Sequence, residues 1–337
     1  MKLIALFNQN ELNKEVNLFL EDWNNPSPFI TIKTSGSTGK AKNIVVEKAK
    51  MIISARKTLE YFQISKKSDV LLCLSPETIG GKMMIVRSII GDLNLYIGKL
   101  NANPLEEISH IFDFCAMVPM QIINTLKKHP SKIENIKKLI VGGAPLPIKI
   151  EEEFKVFTTE LFHTFGMTET FSHIAIRKIG IDEPNVYNAL NGVSFSTNND
   201  LLIINYPEIM DFPLETKEIV RLFSDKKFEW LGRSDFTINS GGIKIIPENI
   251  ENKISSIIKK PFFISGIKDD YLGQKVIIVI ESYENIELKK DDFKGILDLY
   301  EVPKEFFVLQ NFKRTNSDKI NRSETIKLIK DAGIKIL

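Results

Sequence analysis

The sequence predicts an α/β protein with a large N-terminal domain of α/β sheet layers and a small α+β C-terminal domain. Between residues 44 and 141, short apolar runs alternate with segments of helical periodicity, which is typical of a mostly parallel sheet. The composition changes at Leu231–Asp235, and a shorter series of helix and strand patterns follows. We therefore place the domain boundary at Arg233–Asp235, with residues 1–233 in the first domain and 234–337 in the second.

The predicted elements of the first domain begin with a helix at about Glu11 to Trp23, followed by the apolar run Phe29 to Ile32. Helical spacing of apolar residues predicts further helices at about 49–62 and 81–90. Buried strands are predicted at 44–46, 70–74, 95–97, 114–118 and 138–141. From Phe171 to Trp230 strands follow one another without long helices, which predicts an antiparallel, barrel-like part.

The predicted second domain is a compact unit that begins with a helix from Pro247 to about Ile258. Strands are expected at 262–267, 276–280 and 306–309, and a further helix near 292–300.

Charge and cysteine content exclude several classes of protein. The chain of 337 residues has 45 basic and 43 acidic residues, which gives no electrostatic case for nucleic acid or an anionic membrane as partner. Cys73 and Cys115 lie in apolar runs and are predicted to be buried free thiols. The first apolar run is too short for a signal peptide, and we expect a cytoplasmic protein without membrane insertion.

A turn rich in hydroxyls, glycines and lysines follows the apolar run that ends at Ile32. Its glycines allow close approach of the backbone to a ligand, and its amides and hydroxyls form an anion-binding concavity suited to the polyphosphate of a nucleotide. The spacing differs from that of the G-x-x-x-x-G-K-[ST] loop, and a flexible linker is the alternative. The candidate phosphate-binding residues are Thr34, Ser35, Gly36, Ser37, Thr38, Gly39 and Lys40.

Two further motifs follow predicted strands. Gly142-Gly143-Ala144 leaves backbone exposed at a strand end, where ligands bind in α/β sheets. Phe165-Gly166-Met167-Thr168-Glu169 ends on a carboxylate that could bind a hard cation such as Mg²⁺ together with phosphate oxygens. The alternative for Thr168 and Glu169 is an ordinary helix N-terminus.

These motifs, in this order, resemble those of the AMP-forming adenylating enzymes, a family that includes acyl- and aryl-CoA ligases, luciferases and peptide-synthetase adenylation domains. The resemblance covers about residues 30 to 325 and implies the adenylate-forming enzyme fold with a mobile C-terminal domain. It implies that Gly143, Ala144, Phe165 and Gly166 bind the adenine side of ATP, and that Thr168 and Glu169 hold Mg²⁺ and the AMP phosphate. Most members carry more residues ahead of the phosphate loop, so a reduced N-terminal subdomain is expected.

The resemblance extends to four positions on the C-terminal side. Glu218, where the family usually has Asp, and Arg233 would bind the ribose hydroxyls, and Asp235 would be the hinge. Lys319, preceded by Asp318 instead of the usual Gly, would be the catalytic lysine that neutralises charge as the substrate carboxylate meets the α-phosphate. The candidate CoA-binding residues are Ser240, Gly241, Gly242 and Lys244.

The implied reaction consumes ATP and CoA with Mg²⁺ as cofactor. A small-molecule carboxylic acid is activated as acyl-AMP, pyrophosphate is released, and a thiol displaces AMP. Nothing in the sequence indicates the oligomeric state. The alternatives are a different aryl or short-chain acid, a carrier-protein thiol in place of CoA, and a non-catalytic acyl-adenylate or nucleotide sensor.

Within the family, residues 80–87, 113–121 and 168–177 resemble ligases of an aromatic acid with a second carboxylate. That carboxylate needs a cation or strong donors, and the candidates are Lys82, His173 and Arg177. Strand alternation puts His173 and Arg177 on one face, directly after Glu169. Arg87 lies about 140° round its helix from Lys82, so these two cannot face one pocket.

Overall fold

The computed structural model describes residues 1–7, 11–34, 42–315, 319–331 and 335–336. Most strands of these residues belong to two sheets, one of twelve and one of six strands, and a separate two-stranded hairpin pairs β2 with β3.

The large sheet begins with parallel strands and ends with antiparallel ones. Its strand order is β1-β5-β4-β6-β7-β8-β9-β10-β14-β13-β12-β11, and its pairs are parallel from β1 to β8 and antiparallel from β8 onward. The strands outside the small sheet are β1 (Lys2–Ala5), β2 (Phe29–Thr34), β3 (Lys42–Glu47), β4 (Asp69–Leu72), β5 (Asn94–Ile97), β6 (Phe112–Met117), β7 (Ile136–Val141), β8 (Glu160–Met167), β9 (Ser172–Lys178), β10 (Val186–Ala189), β11 (Ser194–Asn198), β12 (Leu201–Asn205), β13 (Leu214–Ser224) and β14 (Lys227–Arg233).

Helices cover both faces of the parallel part of this sheet. They are α1 (Glu11–Asn24), α2 (Lys48–Tyr61), α3 (Ile79–Gly91), α4 (Pro119–Lys128) and α5 (Ile148–Phe154). Alternate residues of the strands point to opposite faces. Phe114 of β6 packs in the core with α1, α2 and α3, whereas its neighbour Cys115 packs in the core with α4 and α5.

The small sheet follows a 3₁₀ turn at Ser234–Phe236. Its elements are β15 (Ile238–Ser240), β16 (Ile243–Ile245), α6 (Pro247–Ile254), β17 (Phe262–Asp269), β18 (Gly273–Glu281), β19 (Glu305–Leu309), α7 (Arg322–Lys327) and β20 (Lys335–Ile336). The change of sheet falls between β14 and β15. The division into two domains at this point and the mobility of the C-terminal part remain predictions.

The sequence patterns predict most of these elements, and two differences have physical causes. The expected helix near 292–300 is wrong: the structure has a 3₁₀ turn at Lys290–Phe293, followed by Gly295 with a left-handed φ of 77°. Strand β1 was not expected, because this exposed edge strand pairs only with the distant β5 and carries no alternating pattern of its own.

The two cysteines lie side by side in the core of the large sheet. Cys73 and Cys115 are both free and completely buried, and their Sγ atoms are 3.8 Å apart. The prediction of buried free thiols is confirmed. Burial raises the pKa of the Cys115 thiol well above its usual value, and the neighbouring Cys73 raises it further.

None of the helices in the described part of the chain combines the length and the apolar character that crossing a membrane requires.

Candidate active site

The turn Gly142–Ala144 follows β7 at the carboxyl end of the parallel strands. Gly143 has a left-handed φ of 91°, and a Cβ added to Gly142 would lie 2.5 Å from Thr164 Oγ1. Thr164 Oγ1 donates a hydrogen bond of 3.0 Å to the carbonyl of Val141. Glycine is therefore required at both positions, and the turn presents bare backbone at the end of the sheet.

The adjacent strand end carries the predicted adenine-binding aromatic residue. Phe165 is half-buried, and its ring packs edge-on against Phe228 with centroids 5.0 Å apart. A Cβ on Gly166 would lie 2.1 Å from the carbonyl oxygen of Ser172, so only glycine allows β9 to approach here. The bulge after Phe165 and this contact fix where the following turn begins.

That following turn is the 3₁₀ segment Thr168–Thr170, which holds the predicted metal ligand. Glu169 is exposed, whereas Thr170 is buried and its Oγ1 donates a 2.6 Å hydrogen bond to the carbonyl of Ser172. The described residues contain no cluster of three His, Cys, Asp or Glu side chains that could enclose a metal ion. One exposed carboxylate fits Mg²⁺ that is held mainly by phosphate oxygens and water.

Glu218 and Arg233 pair directly across β13 and β14. Arg233 donates to Glu218 Oε1, and Trp230 Nε1 donates to Glu218 Oε2 at 2.8 Å. Burial raises the pKa of Glu218, although Arg233 and Trp230 act in the opposite direction. The longer glutamate side chain is thus held in place by two donors, and each carboxylate oxygen has a second lone pair for a ribose hydroxyl.

The predicted hinge residue is tied to the same arginine. Arg233 donates from Nε and Nη2 to the two carboxylate oxygens of Asp235, both at 2.9 Å. Burial favours the neutral acid, but these hydrogen bonds and the charge of Arg233 lower the pKa of Asp235. This fork-like pair lies where the chain passes from the large sheet to the small one.

Lys319, from the C-terminal part of the chain, lies close to Arg233 and Glu218. Its Cε lies 3.7 Å from the position that a Cβ of Gly143 would occupy. Lys319 keeps solvent-exposed surface, yet surrounding protein atoms lower the pKa of its ammonium group, as does the charge of Arg233, while Glu218 acts in the opposite direction. Its backbone closes a turn with Thr315, whose N–H donates to the Lys319 carbonyl at 2.8 Å. The structure therefore places Lys319 near Gly143, Arg233 and Glu218, and the sequence analysis assigns all four residues to the nucleotide site.

The predicted phosphate-binding loop is described only at its two ends. Strands β2 and β3 form a hairpin that pairs Thr34 with Lys42. Residues 35–40, which include the predicted phosphate ligands from Ser35 to Lys40, lie outside the described residues, as does Asp318.

The predicted CoA-binding residues form a tight hairpin on the small sheet. Gly241 and Gly242, with φ of 58° and 84°, connect Ser240 of β15 to β16, which is typical of a two-residue turn. The N–H of Gly241 donates to the carbonyl of Leu272 at 2.9 Å, and Lys244 is exposed.

Two of the predicted acid-binding residues are engaged within the protein. Arg177 is 1% exposed and donates to both carboxylate oxygens of Glu151, at 2.8 and 2.5 Å. His173 is buried, with Nε2 3.1 Å from Thr58 Oγ1. The prediction that Arg177 binds the acid is corrected, because Glu151 already occupies the guanidinium fork. His173 is not a cation, since burial and the charge of Arg87 lower its pKa well below the usual value.

Lys82, the third predicted acid-binding residue, lies on the side of α3 that faces the β2–β3 hairpin. Its Nζ is 5.0 Å from the ring centroid of Phe19. It lines a cavity of about 290 Å³ together with Thr31, Asn43 and Glu77. Its role in binding the acid remains a prediction.

Arg87 on α3 is the functional candidate that the sequence analysis missed. It is 2% exposed; its Nη2 donates to Ser172 Oγ at 2.6 Å, and its Nη1 contacts Met84 Sδ at 3.8 Å. Within the described part of the chain, its Nε has no hydrogen-bond partner and no carboxylate pairs with it. Burial lowers the pKa of Arg87 to about 9. The signal in the sequence was a single charge within the apolar helical run MMIVRSII at residues 83–90.

Comparisons with known proteins show the family of the chain. The family model described as AMP-binding enzyme matches residues 6–208. A solved structure of an AMP-forming acyl-CoA synthetase/AMP-acid ligase II-like protein from Dyadobacter fermentans is 30% identical, covers 95% of both chains and has a TM-score of 0.63. The chain therefore belongs to the AMP-binding enzyme family. It is an AMP-forming acid–thiol ligase, a class whose ligands are ATP, Mg²⁺ and CoA.

Several relatives are named for one acid, 2-succinylbenzoate, also written o-succinylbenzoate. The 2-succinylbenzoate–CoA ligase of Listeria monocytogenes is 25% identical over 90% of this chain and 71% of its own length. A probable 2-succinylbenzoate–CoA ligase of Mycobacterium tuberculosis is 22% identical over 88% of this chain and 84% of its own length. The o-succinylbenzoate CoA synthetase of Bacillus subtilis, solved with its acyl-adenylate intermediate, is 21% identical over 91% of this chain and 70% of its own, with a TM-score of 0.77. At this identity, the last structure supports the fold alone.

Proposed function

We propose that the chain is a cytoplasmic o-succinylbenzoate–CoA ligase of menaquinone biosynthesis. The enzyme converts o-succinylbenzoate and ATP into the acyl-adenylate and pyrophosphate, and then transfers the acyl group to CoA with release of AMP. The names of the relatives support this substrate, and the environment of Arg87 is the observation that carries the proposal.

Arg87 has the properties expected of a cation that binds a substrate carboxylate. A buried guanidinium group without a carboxylate partner is costly, and such charges are usually paired. Ser172, which accepts its hydrogen bond, pairs across β8 and β9 with Met167, the residue before Thr168. The guanidinium therefore lies beside the segment that carries the proposed metal ligand. An acid with a second, unreactive carboxylate supplies the missing partner, whereas a monocarboxylic acid leaves Arg87 unpaired.

In the first half-reaction, the substrate carboxylate attacks the α-phosphorus of ATP, and pyrophosphate leaves with the bonding electrons. Lys319 stabilises the charge that develops where the two anions meet. Glu218 and Arg233 orient the ribose, and Phe165 packs on the adenine. Glu169, with Thr168 beside it, would hold Mg²⁺, which when bound supplies charge neutralisation of the phosphate oxygens.

In the second half-reaction, the thiol of CoA attacks the acyl carbon and AMP leaves. We infer that rotation about Asp235 withdraws Lys319 and presents the hairpin formed by Ser240, Gly241, Gly242 and Lys244 to the pantetheine arm. The bare backbone of the glycine pair allows close approach of that arm.

The proposal is tested by CoA consumption with ATP and Mg²⁺ in the presence of o-succinylbenzoate, benzoate or a short fatty acid. Turnover confined to o-succinylbenzoate supports it. Turnover of a different acid, or of a carrier-protein thiol in place of CoA, keeps the chemistry and rejects the named substrate. Binding of ATP without turnover of any acid favours a nucleotide sensor.

Arg87→Met tests the assignment of the second carboxylate. We expect kcat/KM for o-succinylbenzoate to fall about 10- to 100-fold, the effect of losing a hydrogen-bonded charge partner. Stability to urea should not fall, because the variant removes a buried charge that lacks a carboxylate partner. Arg87→Lys, which keeps the charge, should lose less activity. Unchanged kcat/KM in Arg87→Met contradicts the assignment.

A further inference from the structure

A buried polar network lies directly behind the Gly142–Ala144 turn. His163 of β8 and Arg177 of β9 are cross-strand partners, 6% and 1% exposed. His163 Nε2 lies 3.0 Å from the carbonyl oxygen of Ala144, and Arg177 binds Glu151 on α5. His163 therefore contacts the short segment that joins β7 to α5, and Arg177 contacts the first turn of α5.

The hydrogen bonds of His163 define its protonation. A carbonyl oxygen only accepts, so Nε2 carries a hydrogen and donates it to Ala144. Nδ1 lies 2.5 Å from the hydroxyl of Tyr187, which is 3% exposed and donates to it. Burial, together with the charge of Arg177, lowers the pKa of His163 to about 4, so the ring is neutral near pH 7. Tyr187 thereby fixes the tautomer that Ala144 requires.

We propose that His163 and Arg177 are positioning residues for the nucleotide site. They hold the turn at Ala144 and α5 at Glu151, so that the backbone at Gly143 keeps the orientation against which Lys319 packs. Neither residue touches the reacting atoms in this assignment. It rests on the proposed nucleotide-binding function of the turn, and it gives Arg177 a role different from the acid-binding one that the sequence predicts.

The carbonyl of Ala144 has a further consequence for recognition. Since this oxygen already accepts from His163, it has one lone pair left for a nucleotide, and the other N–H and C=O groups of the turn remain available. A rotated turn would leave this partly buried carbonyl without its donor, which is unfavourable, so the network selects one backbone orientation. Small displacements of a binding surface have large effects on affinity and rate.

The test measures AMP affinity by calorimetry, together with the KM values for ATP and for the acid, in His163→Leu, His163→Gln and Tyr187→Phe. We expect AMP affinity to fall about tenfold in His163→Leu, the order of effect of leaving one buried polar group unpaired. The KM for ATP should rise in parallel while the KM for the acid stays near the wild-type value. His163→Gln, whose amide can donate to the same carbonyl, should recover most of the affinity. Tyr187→Phe should show a smaller loss in the same direction.

Tyr206→Phe is the matched control for Tyr187→Phe. Tyr206 is also buried, but its hydroxyl has no hydrogen-bond partner among the described residues. We expect wild-type AMP affinity in this variant. If His163→Leu and Tyr187→Phe lower the melting temperature but bind AMP as the wild type does, the network is purely structural and the proposal is wrong. If His163→Leu does not fold, the AMP affinity of Tyr187→Phe alone decides whether the proposal holds.

The failure of this inference can be distinguished from failure of the proposed function. AMP binding does not depend on which acid is the substrate, so the network is tested even if another acid turns over. If wild-type protein binds no AMP, both the nucleotide site and its positioning residues are rejected.

Discussion

Lys319→Ala is expected to lower the rate of pyrophosphate release about 10²- to 10³-fold, the scale for losing a preorganised partner of the transition state. The reason is the position of Lys319 at the Gly143 turn, close to Arg233 and Glu218, where two anions must meet. Thioester formation from prepared acyl-adenylate and CoA should remain close to the wild-type rate, because the proposed rotation about Asp235 withdraws Lys319 in that half-reaction. Both rates can be measured separately in a stopped assay.

One control variant and one expected pH dependence accompany this prediction. Lys313→Ala removes an exposed lysine from the same C-terminal segment and should leave both half-reactions unchanged. Because the pKa of Lys319 is lowered and only its protonated form carries charge, pyrophosphate release should decline with rising pH earlier than an ordinary lysine would cause. Wild-type pyrophosphate release in Lys319→Ala would exclude the lysine from the chemistry.

Glu151→Ala is expected to have the largest effect on stability, a loss of about 3–5 kcal/mol in the free energy of unfolding. Arg177 is 1% exposed, and removing its partner leaves a buried charge uncompensated. At present the hydrogen bonds and charge of Glu151 raise the pKa of Arg177 even though burial acts in the opposite direction. Urea unfolding followed by circular dichroism measures the effect.

The neighbouring ion pair on α5 provides a matched control. Glu152 and Lys155 also form a 2.7 Å contact, but both side chains are more than half exposed. Glu152→Ala should therefore change stability by no more than about 1 kcal/mol. The double variant Glu151→Leu/Arg177→Met, which replaces the buried pair by apolar groups, should recover much of the loss. Equal effects of Glu151→Ala and Glu152→Ala would contradict the account of the buried pair.

Local sequence patterns predict the parallel half of the fold well because its central strands are short apolar runs and its helices carry apolar residues at helical spacing. Strands β4, β6 and β7 and helices α2 and α3 all appear within a few residues of their predicted bounds. The antiparallel pairing of the following strands is confirmed, but the expected barrel-like part is not found among the described residues, because these strands continue the twelve-stranded sheet through β8 and β9. Strand β1 depends on a partner about ninety residues away, so local periodicity carries no signal for it.

In the candidate active site as well, contacts between distant elements could not be predicted from local sequence patterns. The resemblance to the adenylating enzymes predicts that Gly143, Glu218, Arg233 and Lys319 share one site, and the contacts agree. The role of Arg177 depends on Glu151, a partner on a different element that strand alternation cannot reveal. Helix geometry correctly separates Arg87 from Lys82, but only the packing shows that Arg87 is the buried one.

The adjacent buried thiols of Cys73 and Cys115 can be used to follow unfolding of the protein. Neither sulfur has exposed surface, so a thiol-reactive dye can modify them only when the large sheet opens. The labelling rate therefore follows the population of open molecules without any engineered labelling site. Variants that alter only ligand contacts should label at the wild-type rate, whereas variants that loosen the fold should label faster.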